Sequence, residues 1–199
     1  MNRFQDQGYK LYHFEDEIFV ACPNCEERAV VNIENPRLET RHGTLNCSNC
    51  SFSLDGRELR YRMELKCNCP DCGARIERHM DNVKERQEEI AVRCDECENT
   101  QSYKPRFISY ECGYPDSGLP SDPYYNLPLW MHLELKGNVL WAYNYRHLDY
   151  LKSYVSAGLR ERKPHGVYWM TMLERLPDWM KSAKNREAVL KGFDKLLRI

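Results

Sequence analysis

Apolar positions come in short β-length runs through the first half of the chain and take up helical spacing only later. "EDEIFVAC" and "RAVVNI", then "RYRMELKC" and "EEIAVRC", each alternate or cluster β-prone residues between turn formers, and each reads as a strand. Past a stretch rich in proline, "LWMHLELKGNVLWAYN" gives two further strands around Gly137-Asn138, a glycine-first hairpin turn. A two-residue loop there pairs Glu134 with Trp141 and Leu133 with Ala142. Met131, Leu133, Leu135, Leu140 and Ala142 then form an aliphatic face, and Trp130, His132, Trp141 and Tyr143 an aromatic one.

Helical spacing follows. Asn144 is placed to cap "YRHLDYLKSYVSAGLRER", whose apolar stripe is Leu148, Leu151, Val155 and Leu159. "VYWMTMLERL" reads as a second helix ending at Pro177, "PDWMKSA" as a short turn of helix. Asn185 is placed to cap a last helix, "REAVLKGFDKLLRI", with Val189, Phe193, Leu196 and Leu197 inward.

The cysteines add a repeat. Cys22/Cys25, Cys47/Cys50, Cys69/Cys72 and Cys94/Cys97 form four CxxC pairs, and an offset of 47 carries the first two onto the last two. Cys67 and Cys112 have no mates under that offset, so in "LKCNCPDCG" the paired thiols are Cys69 and Cys72. A CxxC turn brings two thiolates close enough to share one ion, and two such knuckles complete a tetrahedron around zinc. Each gap between knuckles is 21 residues, near the spacing of four-cysteine zinc sites. The pattern predicts two structural Zn2+, held by Cys22, Cys25, Cys47 and Cys50 and by Cys69, Cys72, Cys94 and Cys97. A cross-braced set, Cys22/Cys25/Cys69/Cys72 with Cys47/Cys50/Cys94/Cys97, is the alternative. Cys67 reads as a strand residue packing inward or as a spare exchanging thiol, and Cys112 likewise.

The resulting expectation is an α+β chain: two tandem four-cysteine zinc ribbons built on small antiparallel sheets, followed by a β-hairpin plus helical module. Ribbon 1 takes residues 1–60 and ribbon 2 residues 61–111. "CGYPDSGLPSDPYYNLP", with four prolines and two glycines, makes 112–128 a linker before the module at 129–199. Each ribbon is too small to hold together by its core alone, so metal binding would be part of its folding free energy.

Composition narrows the function. With 30% charged and 42% hydrophobic residues over 199 positions, the chain reads as globular. No apolar run has the length of a membrane span, and the first residues do not read as a secretory signal, which suggests a cytoplasmic protein whose thiols stay reduced. The net charge of −1 hides an asymmetry: residues 1–126 hold 16 basic against 23 acidic groups, residues 127–199 hold 13 against 7. A four-thiolate zinc adds further negative charge to the acidic half, which argues against phosphate binding there. Arg57, Arg60, Arg62 and Lys66, at the junction, read as a solvated strand edge. In the basic half Arg160, Arg162, Lys163, Lys181, Lys184, Arg186, Lys191, Lys195 and Arg198 cluster toward helix ends. They suit either nucleic acid or an acidic protein surface.

"PLWMHLELKGNVLWAYNYRHLDYLKSYVSAGLRER" and "LPDWMKSAKNREAVLKGFDKLL" resemble a group of uncharacterised bacterial tandem zinc-ribbon proteins, which share the Trp-Ala-Tyr-Asn hairpin, the Tyr-Val-Ser-Ala helix and the Lys-Ser-Ala-Lys-Asn-Arg stretch. The resemblance covers about 70 residues and implies a bacterial zinc-ribbon context with no activity attached. Those proteins carry an adjacent cysteine pair in the hairpin; Leu135 and Lys136 stand there here, so no third zinc is assigned.

Catalytic motifs are absent: no GxxxxGK loop, no GxSxG elbow, no HExxH. The expected function is a non-enzymatic zinc-binding interaction protein, nucleic-acid-associated through its basic module. A protein–protein adaptor docking through acidic ribbons, or a thiol/zinc redox sensor, are the other two readings. Its partners are then nucleic acid or a larger protein complex, with no membrane and no small-molecule substrate.

Overall fold

Residues 3–38, 42–161 and 170–199 are described by a computed structural model. In chain order the strands are β1 (Arg3–Gln5), β2 (Glu17–Ala21), β3 (Arg28–Glu34), β4 (His42–Asn46), β5 (Ser53–Asp55), β6 (Glu58–Asn68), β7 (Arg75–Val83), β8 (Ile90–Arg93), β9 (Thr100–Tyr103) and β10 (Arg106–Cys112). Then come β11 (His132–Leu135), β12 (Asn138–Trp141), α1 (Tyr145–Ser156), β13 (Leu159–Glu161), α2 (Asp178–Lys181) and α3 (Arg186–Leu196). The result is a mixed α/β protein with small sheets and few helices.

The chain divides into two units, residues 1–56 with 114–199, and residues 57–113. This differs from the expected order of ribbon, ribbon, linker and module. The first repeat and the C-terminal segment share one core, in which Ile18, Val20, Val31, Leu45, Leu129, Leu140, Leu148 and Phe193 are all buried. The stretch expected as a linker is part of that core. Asp122 accepts hydrogen bonds from the amides of Tyr124 (2.9 Å), Tyr125 (2.7 Å) and Leu127 (2.7 Å), and Tyr125 donates its hydroxyl to the Gly43 carbonyl at 2.6 Å. Its prolines and glycines make turns, while its tyrosines and leucines supply apolar surface to bury. The outer edge of β2 is covered in consequence: the Ala21 amide bonds the Pro128 carbonyl, and the Trp130 amide that of Phe19.

In this first unit β2, β3, β4 and β5 form one antiparallel sheet in that order. The hairpin β11–β12 turns at Lys136 and Gly137, both at positive φ (52° and 73°), not at Gly137-Asn138. Glycine sits second, as a turn with two left-handed residues prefers. Leu133 therefore faces Leu140, and His132 faces Trp141. The shift moves each pairing by two residues, so the faces survive. The aliphatic face packs against α3, where a Cβ on Gly192 would stand 2.7 Å from Leu140. The aromatic face is packed too: Tyr143 is buried and Trp141 meets the His147 ring edge-to-face at 5.7 Å.

Asn144 caps α1 by accepting from the His147 amide (2.8 Å), and its Nδ2 donates to the carbonyls of Phe14 (2.9 Å) and Glu17 (2.5 Å). The helix stops at Ser156, earlier than its periodicity predicts. Arg160 folds back and donates to the carbonyls of Tyr154 and Val155, which a helix end leaves unpaired, and to that of Lys181. Leu159 leaves the stripe and lies exposed in β13, which pairs in parallel with β1. Residues 170–176, expected as helix, form turns whose Met172 and Leu173 are buried; 167–169 lie outside the described residues. Val189, Phe193 and Leu196 of α3 are buried, but Leu197 is exposed. Asn185 does not cap α3: its Nδ2 donates to the Trp179 carbonyl instead, at 3.0 Å.

The second unit holds two sheets, of order β10-β6-β7 and β8-β9. Met63, Leu65, Ile76 and Val92 are its small apolar core. The arginines and lysine of β6 and its approach are each ion-paired: Arg57 with Glu111, Arg60 with Glu58, Arg62 with Asp81, Lys66 with Glu77.

Candidate metal centres

Each knuckle is a tight turn closed by backbone hydrogen bonds. The Cys22 amide donates to the Glu27 carbonyl (2.8 Å), and the Glu26 amide returns to the Cys22 carbonyl (2.9 Å). Cys47 donates to Phe52, Cys69 to Ala74 and Cys94 to Asn99 in the same way. The fourth residue after each first cysteine takes positive φ: Glu26 (63°), Ser51 (59°), Gly73 (77°) and Glu98 (63°). Only one of the four is glycine, so the three others adopt a conformation L-residues rarely take, and a bound ion would offset that cost.

Two knuckles meet at each centre. The sulfurs of Cys22, Cys25, Cys47 and Cys50 all lie within 4.8 Å of one another, as do those of Cys69, Cys72, Cys94 and Cys97. The grouping is that of consecutive repeats and not of the cross-braced alternative. Cys22–Cys50 and Cys25–Cys47 are 3.7 and 3.6 Å apart; Cys69–Cys97 and Cys72–Cys94 are 3.6 and 3.7 Å. These are not disulfide lengths. A tetrahedron of ~2.3 Å metal–sulfur bonds has edges of about 3.8 Å, so the thiol set fits such an ion. Cys22, Cys47, Cys69 and Cys94 are buried, and Cys72 is the most exposed ligand.

The protons of these thiols are unevenly held. Burial pushes Cys22 up to about 11, while the Asn24 side chain and the Phe52 amide draw Cys50 down to about 6. At the second centre the Cys72 and Asp71 amides lower Cys69 to about 7. At Cys97 the Asn99 amide pulls down, but burial and the neighbouring sulfurs prevail and push it up to about 12. Crowded thiols cannot all ionise side by side without a cation, which is the electrostatic condition a divalent ion relieves.

The x positions of the CxxC turns supply a surrounding layer that the cysteine spacing does not reveal. The Asn24 amide approaches Cys22 Sγ at 3.4 Å, and Asn49 Nδ2 donates to Cys25 Sγ at 3.6 Å. At the second centre Asp71 accepts from Asn99 (3.3 Å) and Gln101 (3.2 Å), tying one knuckle to the other. Cys67 is half-buried in β6 opposite Ile76, and Cys112 ends β10 opposite Glu58; neither joins a tetrad.

Arg160 and Lys181 are drawn into contacts within the protein, and Lys191 into a surface ion pair. Arg160 lies over the Tyr154 ring (4.3 Å to its centre) besides its three carbonyl bonds. Lys181 donates to the Glu174 carbonyl and pairs with Asp178, and Lys191 pairs with Glu187 at 2.7 Å. Arg186 is half-buried, Lys184 and Lys195 are exposed, and Arg162 and Lys163 lie outside the described residues. No family model matches the chain, and no curated protein or solved structure does.

Proposed function

We propose that this chain is a non-enzymatic interaction protein in which two tandem zinc ribbons each hold one structural Zn2+, with a protein as the partner. The observation that carries the reading is the closure of both tetrads: four sulfurs per centre leave no coordination position for a substrate or an activated water. Thiolates select a soft or borderline ion, and zinc is the one that four thiolates at tetrahedral spacing commonly hold in a reduced compartment such as the cytoplasm.

Nucleic acid is the weaker partner reading. Phosphate binding needs basic groups free to displace counterions. Arg160, Lys181 and Lys191 are already bonded within the protein, and the aromatic face of the hairpin is packed instead of presented for base stacking. Native mass spectrometry of the protein purified with and without nuclease tests both halves of the proposal. Two zinc ions per chain and no nuclease-sensitive mass are expected. A folded chain with fewer than two zincs overturns the metal reading, and bound nucleic acid overturns the partner reading.

A further inference from the structure

The offset of 47 carries the outer ladders of the first sheet onto the second unit, residue for residue. Glu17↔Asn32 and Ala21↔Arg28 become Glu64↔His79 and Asn68↔Arg75. Asn46↔Ser53 becomes Arg93↔Thr100. The central ladder is not carried over. β3 and β4 pair through Val31↔Leu45 and Ile33↔Gly43, but their counterparts Arg78/Val92 and Met80/Ile90 do not pair, and among the described residues β7 and β8 belong to separate sheets.

One residue accounts for the opening. Val31 is fully buried in the first sheet; its counterpart is Arg78, whose guanidinium cannot enter an apolar core unpaired. It reaches across instead, donating to the Arg93 carbonyl (3.5 Å) and to both oxygens of Asp95 (2.8 and 2.9 Å). Asn46, the counterpart of Arg93, stands in the closed ladder of the first sheet. The cleft left between β7 and β8 has a volume of about 580 Å³, within the range of ligand sites. Its floor is apolar: Met63, Val83, Ile90, Val92 and Phe107, with Met80 58% exposed on its wall.

We propose that this cleft is a strand-acceptor slot that takes an extended segment of a partner protein as an added β-strand. Two facing strand edges outside any ladder offer rows of backbone N–H and C=O groups, which an extended peptide matches and a small apolar molecule or a nucleic acid does not. The floor calls for apolar side chains at alternate positions. The charged groups lining the slot are already paired, Arg78 with Asp95, Arg93 with Glu98 and His79 with Glu77, so the segment is held by its backbone and its apolar side chains. The slot rests on the zinc reading only in that the knuckles anchor both of its walls.

The test uses the full zinc-loaded chain, isotope-labelled, titrated with the synthetic peptide acetyl-Glu-Val-Thr-Val-Thr-Val-amide while backbone resonances and amide exchange are followed. Saturable shifts confined to β7 and β8, with exchange there slowed about ten-fold or more, are expected. The same peptide N-methylated at alternate amides keeps its side chains and should not bind. Arg78→Val restores the first repeat's residue and should close the slot. Met80→Lys, at an exposed position, should weaken binding about ten-fold without disturbing the fold. Cross-strand contacts between β7 and β8 in the free protein overturn the proposal, as does absence of binding. Filling of the slot by a second copy, seen as concentration-dependent dimerisation, also overturns it. Native mass of the same sample separates the two readings: full zinc with no binding counts against the slot, missing zinc against the metal centres.

Discussion

Gly43 lies against the face of Tyr124 so closely that a Cβ added to it would stand 2.5 Å from Tyr124 Cδ1. This contact locks β4 of the first sheet to the stretch that follows the second unit in sequence, beside the 2.6 Å bond from the Tyr125 hydroxyl to the Gly43 carbonyl.

Gly43→Ala is therefore expected to destabilise the first unit by about 1–3 kcal/mol, the cost of overpacking a close contact that backbone and ring must both yield to. Urea unfolding followed by the resonances of the first unit measures it. An unchanged midpoint would mean that residues 114–131 do not pack on β4 in solution.

His147 sets a pH dependence. It is 2% exposed, stacks on Phe14 at 4.9 Å, and its Nδ1 accepts the Tyr143 amide at 3.2 Å. Burial lowers it to about 3 from an ordinary value of 6.5. The folded protein holds the ring neutral while the unfolded chain protonates it, so its stabilising contribution is complete above pH 6.5 and is lost progressively as pH falls toward 3. By pH 5 the loss is about 2 kcal/mol. His147→Asn should flatten the stability–pH profile across this window relative to wild type, a comparison that cancels any common loss of metal.

The two metal centres lie in different units and should fail separately. Cys25→Ser is expected to remove one zinc and unfold the first unit; Cys72→Ser is expected to remove the other and unfold residues 57–113 alone. Native mass and amide spectra of each variant distinguish the two patterns. Collapse of the whole chain in both variants would contradict independent centres.

Cys67 tests the redox reading. Half-buried in β6 and outside both tetrads, it should leave zinc content at two and zinc release under mild peroxide unchanged when replaced by serine. Slower release in Cys67→Ser would favour a thiol sensor over an interaction protein.

Much of the metal chemistry was legible in the sequence because it is local. A CxxC turn fixes two sulfurs within one backbone conformation, and the offset of 47 relates the four turns before any tertiary contact is known. The same offset carries the registers of two outer ladders of the first sheet onto two ladders of the second unit, since each strand adjoins a knuckle and the knuckle sets its phase. Helix α1 was legible from its Asn144 cap and the Leu148, Leu151, Val155 stripe. Its end was not, because Arg160 stops it through carbonyls brought near only by folding.

Sequence alone thus determined the four paired-cysteine turns and the faces of the hairpin, properties of residues a few positions apart, and left two groupings of the turns open, between which the fold decided. Tertiary structure decided the rest. It placed Asp122, Tyr124 and Tyr125 in a core, where the sequence reads a linker, because buried tyrosines outweigh the local preference of proline and glycine for loops. It bonded Arg160 and Lys181, two of the basic side chains whose charge alone suggested a phosphate surface, to backbone carbonyls. It opened the central ladder of the second repeat because burying Arg78 where the first has Val31 would cost more than a strand pairing returns, a balance that depends on what lies across the sheet.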